Sequence, residues 1–278
     1  MNIPDNKQQF QQAVEAFLEL ASVNHIEPDF RILQKILDRY GRLPYENLSK
    51  IIKLNRNRDS NHLRFPDEVI DDHQRFQLGG TCFSLTYFLK TILDTLGFTT
   101  DFLMADMNSG KNSHCALILH HDEKEFLIDP GYLLNRPLDL STSNQGSNTY
   151  LTREPEENRF SLWTPGGKKI KKRYSFSKVA TGSKQFFEHW KNSFHLMTMH
   201  GICLSKQDES GFVYLHNHYI KREGVDIRYK GKFSEEISEI VEKYFNIPKE
   251  VVRQAEFALK ENLHYDKELG YRVPKWVE

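Results

Sequence analysis

The stretch from Phe76 to Gly97 constrains this chain most. It reads Phe76-Gln77-Leu78-Gly79-Gly80-Thr81-Cys82-Phe83 and continues apolar to Leu96. After Cys82 the apolar residues fall at Phe83, Leu85, Phe88, Leu89, Ile92, Leu93 and Leu96, the i, i+3, i+4, i+7 spacing of one helix face. That spacing predicts a helix, and Gly97 is placed to stop it. Gly79-Gly80 leaves room for a tight turn and a close backbone approach just before it. Cys82 then sits in the first helical turn, where unpaired N–H groups and the helix dipole favour a thiolate. From this stretch alone the thiol is either a nucleophile or a small buried core residue.

A second stretch favours the nucleophile. Ser113-His114-Cys115-Ala116-Leu117-Ile118-Leu119-His120 has strand composition, and Lys124 to Asp129 reads as its hairpin partner, ended by Pro130-Gly131. His114 is expected at the start of the first strand and Asp129 at the end of the second. An antiparallel hairpin brings those two ends side by side. Taken singly, His114 is a polar residue at a sheet end and Asp129 a turn initiator before Pro-Gly. Together with Cys82 they supply nucleophile, base and orienter in the chain order Cys, His, Asp.

These residues resemble the arylamine N-acetyltransferase family. That family carries Arg-Gly-Gly-x-Cys opening a helix, a His thirty to forty residues later and an Asp about fifteen beyond. Gly79-Gly80-Thr81-Cys82, His114 and Asp129 match in order and spacing, and Leu43-Pro44-Tyr45-Glu46-Asn47-Leu48 is similar to the family's Ile-Pro-Phe-Glu-Asn-Leu. The chain departs where the family has Arg (Leu78), Glu (Ser84), Asn (Thr86) and Val (Pro130). The resemblance implies an α+β fold: an N-terminal helical bundle, a β-barrel-like middle domain and a C-terminal α/β lid around a papain-like or transglutaminase-like Cys-His-Asp core. It implies that acetyl-CoA is the cosubstrate, that the acetyl group rests on Cys82 as a thioester, and that an arylamine, hydrazine or related amine accepts it. Cys82, His114 and Asp129 are then the catalytic residues. The residues that bind the donor are not assigned, and no metal is expected.

The chain has 278 residues, long enough for one large or several small domains. Its 38 Lys and Arg balance 38 Asp and Glu, which argues against a polyanion-binding protein. The expected partners are an acyl-CoA donor and a small amine, with no nucleic acid and no membrane. Three widely spaced Cys do not make a disulfide framework, and a reducing compartment follows. Met1 to Lys7 lacks a basic-then-apolar leader, and no run of eighteen apolar residues exists, so a cytoplasmic protein is expected.

Along the chain, residues 7–22 and the stretch after Pro28-Asp29 read as helices, and Phe65-Pro66-Asp67 starts a short helix or turn leading to Gly79. Leu43 to Leu48 is a connector and Asn55 to Asn61 a loop. Residues 1–97 thus form a helical domain carrying the Cys. From Phe98 the period shortens to that of strands, and 98–200 is read as the barrel-like domain carrying His and Asp. Within it, Asn108 to Asn112 and Leu138 to Asn148 read as loops, and strands at 160–164 and 173–176 flank Pro165-Gly166-Gly167. Residues 201–278 form the lid: strands at 202–204 and 212–215, the second continued by His216 to Ile220. A helix follows, capped by Ser234 and ended before Pro248, then another to Leu263 and a tail.

Two other features compete for function. The run Lys168-Lys169-Ile170-Lys171-Lys172-Arg173 reads first as a solvated hairpin flank and second as a phosphate contact. His114, Cys115, His120 and His121, or His195, His200 and Cys203, lack paired metal-ligand spacing, and Cys115 and Cys203 read as core thiols. The alternatives to acetyl transfer are a transglutaminase-like or papain-like hydrolase or amide synthase, and a silent binding protein of the same fold.

Overall fold

Asp29 shows how the helical part is built. Its carboxylate oxygen accepts the Ile32 amide at 2.7 Å and caps the helix that follows. The computed structural model describes residues 9–23, 27–58, 62–141, 148–156, 158–165 and 169–277. In it five helices precede the first long strand: α1 (Gln11–Leu20), α2 (Phe30–Tyr40), α3 (Leu48–Arg56), α4 (Pro66–Phe76) and α5 (Cys82–Thr95). Helix α5 is the axis. Phe83, Leu85, Phe88, Leu89, Ile92 and Leu93 are fully buried, each worth about 1.5–3 kcal/mol of transfer energy. Gly97 ends it at φ 88°, with the Phe98 amide returning to Leu93 O at 3.0 Å.

The middle of the chain is a seven-stranded antiparallel sheet, nearly closed into a barrel. Its strands, beyond the two-residue β1 described below, are β2 (Thr99–Met107), β3 (Gly110–His121), β4 (Lys124–Ile128), β5 (Leu138–Asp139), β6 (Tyr150–Arg153), β7 (Arg159–Pro165) and β8 (Ile170–Ser177), in the order β5-β4-β3-β2-β8-β7-β6. Both faces are buried, which explains the unbroken apolar run at Cys115 to Leu119. Phe102, Met104, Cys115 and Leu117 pack on the helices, while Leu103, Ala105, Ala116 and Ile118 point into the barrel. Helix α6 (Ser183–Asn192) then returns to the helical core with Phe186, Phe187 and Trp190.

The second sheet has five antiparallel strands in the order β1-β9-β10-β11-β12: β1 (Tyr45–Glu46), β9 (Cys203–Asp208), β10 (Gly211–His216), β11 (Tyr219–Glu223) and β12 (Arg228–Lys232). Helices α3, α7 (Ile237–Phe245) and α8 (Lys249–Glu268) cover it through Leu48, Leu204, Leu215, Val241 and Val252.

Several expectations change. The connector at 43–48 contains β1, whose partner lies some 160 positions away in sequence at Ser205. The loop at 108–112 is mostly strand: β3 starts at Gly110, and His114 stands within the strand rather than at its start. The loop at 138–148 gives up Leu138-Asp139 to β5, while 142–147 lie outside the described residues. So do Met1 to Lys7, Gly166, Gly167 and Lys168. His216 to Ile220 does not extend a strand, because Asn217 takes a φ of 48° and reverses the chain into β11. Ser234 is not a cap. The neighbouring Phe233 amide still bonds His218 O at 3.0 Å, continuing the sheet, and the helix opens after Glu236.

Candidate active site

The turn before Cys82 is built by backbone contact. Glu46 N donates to Gly80 O (3.0 Å) and Gly80 N to Pro44 O (3.3 Å). A Cβ on Gly79 would lie 2.0 Å from Pro44 O, so only glycine fits there. Every residue of the Pro44-Tyr45-Glu46-Asn47 stretch has a place. Pro44 meets the glycines, Tyr45 and Glu46 pair with β9, and Asn47 accepts Cys203 N at 2.8 Å while donating to Gly201 O at 2.7 Å. Glu46 is fully buried. Its carboxylate accepts Ser49 N (2.9 Å) and Ser49 Oγ (2.5 Å) and lies 3.8 Å from the Arg64 guanidinium.

Arg64 bears on the departure at Leu78. Leu78 packs among the apolar residues of α3 and the second sheet, and the guanidinium at this turn comes instead from Arg64. Its side chain is buried, donating to Gly79 O (2.8 Å) and to Asp72 Oδ2 (2.6 Å). Ser84 is close to the turn as well. Its Oγ donates to Thr81 O at 3.1 Å and fills the space a side chain at Gly80 would need.

Cys82 is the first residue of α5, at the floor of a cleft of about 1310 Å³ that His114 also lines. His114 Nε2 lies 2.8 Å from Asp129 Oδ2, both side chains buried. Asp129 follows β4, and three donors hold it: His114, the Tyr174 hydroxyl on the same oxygen at 2.6 Å, and Tyr132 N on the other at 3.0 Å. The His114 ring packs against the rings of Tyr132 (5.2 Å) and Tyr174 (4.8 Å), which also touch each other (5.6 Å). Nε2–H donating to Asp129 leaves Nδ1 as the nitrogen free to exchange a proton with a neighbour.

The electrostatics favour an ion pair. A hydrogen bond from Cys115 pulls the Cys82 thiol well below its ordinary pKa; burial opposes this, and His114 and the charge of Lys50 add to it. Burial opposes the charged form of His114, but the Asp129 charge and hydrogen bond, with Cys82, raise it to about 10. The stable state at neutral pH is therefore thiolate and imidazolium. Cys115, fully buried, is pushed well above the ordinary thiol value by desolvation and stays a protonated donor. Cys203 also lines the cleft, and burial raises it to about 11.

Sequence reasoning found Cys82, His114 and Asp129, and the structure brings all three together. It missed Tyr174, Arg64, Cys115 and Gly131. A Cβ on Gly131 would meet Cys82 Cβ at 2.8 Å and His114 Cε1 at 2.9 Å, so the Pro130-Gly131 turn is what lets the two reactive side chains approach. Two residues of the basic run reach the cleft. Lys171 and Arg173 line it, while Lys172 turns away to Glu154 at 2.7 Å, as strand alternation requires. Among the described residues no three His, Cys, Asp or Glu side chains converge as a metal site, and no helix is long and apolar enough to cross a membrane.

The model of the N-acetyltransferase family matches residues 29–253. The chain belongs to the arylamine N-acetyltransferase family. It is an enzyme, an acetyltransferase. Its fold is that of solved arylamine N-acetyltransferases. The Salmonella typhimurium enzyme is 13% identical, with a TM-score of 0.71 over 88% of this chain and 98% of that one. The Mycobacterium marinum enzyme in complex with CoA is 14% identical, also at 0.71 over 88% and 98%. A Bacillus cereus enzyme with a Cys-His-Glu triad is 15% identical, at 0.67 over 88% and 100%. No curated protein matches the chain.

Proposed function

We propose that Cys82 carries the acetyl group, that His114 moves the protons and that Asp129 orients His114. The observation behind this is the buried 2.8 Å contact between His114 and Asp129 beside a depressed thiol at the floor of the cleft. The thiolate attacks the carbonyl carbon of the donor thioester. The C–S bond to CoA breaks, and the CoA sulfur leaves with the proton from His114. The neutral imidazole then takes a proton from the amine as its nitrogen attacks the acetyl-cysteine, and the Cys82 thiolate departs. Asp129 holds the ring's tautomer and the charge it carries in each half. The first amide of α5, Cys82 N–H, lies where a helix has no acceptor for it and suits the developing oxyanion.

The cleft fits a donor of this kind. Arg136, Lys171, Arg173, Lys221 and Lys230 line it, a set of cations suited to phosphates. The acceptor is an arylamine, hydrazine or related amine. Residues 1–97, 98–200 and 201–278 are units that meet at this cleft, and the enzyme works in the cytoplasm.

Intact-mass measurement after mixing with acetyl-CoA alone tests the mechanism. One acetyl group is expected on the parent and none on Cys82→Ala. Addition of an arylamine should discharge it, and initial rates should give parallel double-reciprocal lines. Intersecting lines without a mass shift would overturn the covalent step, and discharge by water as fast as by any amine would make the enzyme a hydrolase.

A further inference from the structure

Lys50, the third residue of α3, is a buried ammonium that the proposed chemistry does not use. Nζ donates to Ser193 Oγ at 2.7 Å and Ser193 O at 3.0 Å, and Ser193 Oγ passes its own proton to Trp190 O at 2.6 Å. The Phe194 ring lies 4.3 Å away. An ammonium has three N–H donors, and Ser193 takes two. Among the described residues no carboxylate lies within 4.0 Å of Nζ; the nearest acid in sequence, Glu46, is committed to Ser49 and Arg64. A buried charge held only by neutral groups is costly, and burial lowers this one to about 8.

Lys50 and Cys82 line the same cleft, and the charge of each acts on the other. The other titratable groups facing the pair are His114 and Cys115 on β3, Asp129 behind His114, and Tyr45 and Tyr132. The ring of His62 packs edge-on against Phe194 at 4.4 Å. At neutral pH Cys115, Tyr45 and Tyr132 are protonated. The thiolate, imidazolium and carboxylate then sum to one negative charge in a buried place, and Lys50 brings that sum to zero.

We propose that Lys50 is the counter-charge of the Cys82 thiolate, a positioning residue that keeps the nucleophile ionised from the wall of the cleft both line. This rests on Cys82 being the nucleophile. After acetylation, with the proton gone to CoA, the neutral imidazole, the Asp129 carboxylate and Lys50 again sum to zero, so the site never carries net charge through the cycle.

The test is the pH dependence of Cys82 alkylation by iodoacetamide in the full chain, read by peptide mapping. Lys50→Met should move the profile up by about one pH unit, making alkylation about tenfold slower below the thiol's titration. Lys50→Arg restores the charge and should bring the profile back. Ser193→Ala removes a hydrogen bond but keeps the ammonium, and should leave the profile within about threefold of the parent. A Lys50→Met profile that superimposes on the parental one overturns the proposal. So does a Lys50→Arg profile that stays with Lys50→Met, or a Ser193→Ala shift as large, since either assigns the effect to packing. If Lys50→Met does not fold, the reciprocal measurement decides. Lysine side-chain NMR should show Lys50 titrating about one unit lower in Cys82→Ala than in the parent, because linkage is mutual; an unchanged titration overturns the proposal. Absence of acyl loading on Cys82 with a shifted alkylation profile would remove the transfer mechanism and leave the counter-charge standing.

Discussion

Two of this molecule's His–Asp pairs, nearly equal in length, stand in different parts of it. His114 and Asp129 meet at 2.8 Å; His195, after α6, and Asp266, on α8, meet at 2.7 Å. Length does not separate them. His114 lies at the floor of the cleft beside a thiol, with Tyr174 and Tyr132 N fixing its carboxylate. His195 does not line the cleft, is about one-fifth exposed, and stacks on Tyr271 at 4.3 Å. One pair has something to give a proton to. The other joins the segment after α6 to the last helix and the tail beyond it. A His–carboxylate contact is an orienting device, and what stands at the ring's other nitrogen decides whether it does chemistry.

Breaking the first pair should cost most. Cys82→Ala is expected to lower turnover by on the order of 10⁴-fold, and Asp129→Asn by on the order of 10³-fold with the thermal midpoint little changed. Steady-state rates with an arylamine acceptor and a melting curve check both. An Asp129→Asn enzyme with near-parental turnover would make the two pairs equivalent. Gly131→Ala should cost about 10²-fold, since its methyl group must push Cys82 and His114 apart. Tyr174→Phe leaves the His114 contact in place but removes one donor from Asp129, and about a tenfold loss is expected. His195→Ala should leave turnover within twofold and cost about 1 kcal/mol of stability in a urea titration.

The thiols sharpen the same contrast by pH. With Cys203 raised to about 11, only about one part in 10⁴ of it is thiolate at pH 7. Cys82 is depressed, so its thiolate persists at neutral pH and is lost only as pH falls through its own low value. Brief alkylation at pH 7 should therefore label Cys82 on the order of 100-fold faster than Cys203. The ion pair's upper limit comes where His114 loses its proton, near pH 10, and the alkylation rate should be flat between those limits, the thiolate being fully formed on both sides of the Lys50 titration near pH 8.

The parts legible in the sequence were those whose cause is local. Helix α5 is written in its apolar spacing and in Gly97, and the β3–β4 hairpin in a short apolar run around Asp122-Glu123. His114 and Asp129 followed from that hairpin because antiparallel register fixes which ends meet. Tyr174 and Arg64 reach the site only through tertiary folding, and nothing beside them in sequence marks a role. Cys115 follows His114 and so points to the other face of the strand, the one that packs on the helices, and there it meets Cys82 in the same core cluster. Strand β1 is two residues long, and its partner lies too far along the chain for any window to see. His195 and Asp266 share that limit, being 71 positions apart.

Asn47 bonds Gly201 across 154 positions and Cys203 across 156. This gives the enzyme a schedule. During synthesis Gly79, Gly80 and Cys82 emerge early, and α5 and the barrel have most of their own contacts by residue 177. The stretch beside the nucleophile stays half-braced, held by Gly80 on one edge only, until β9 has left the ribosome and pairs with Tyr45 and Glu46 on the other. A nascent chain or a truncation ending before β9 thus carries a thiol whose neighbouring strand has an open edge. Completion of the last quarter of the chain closes the first.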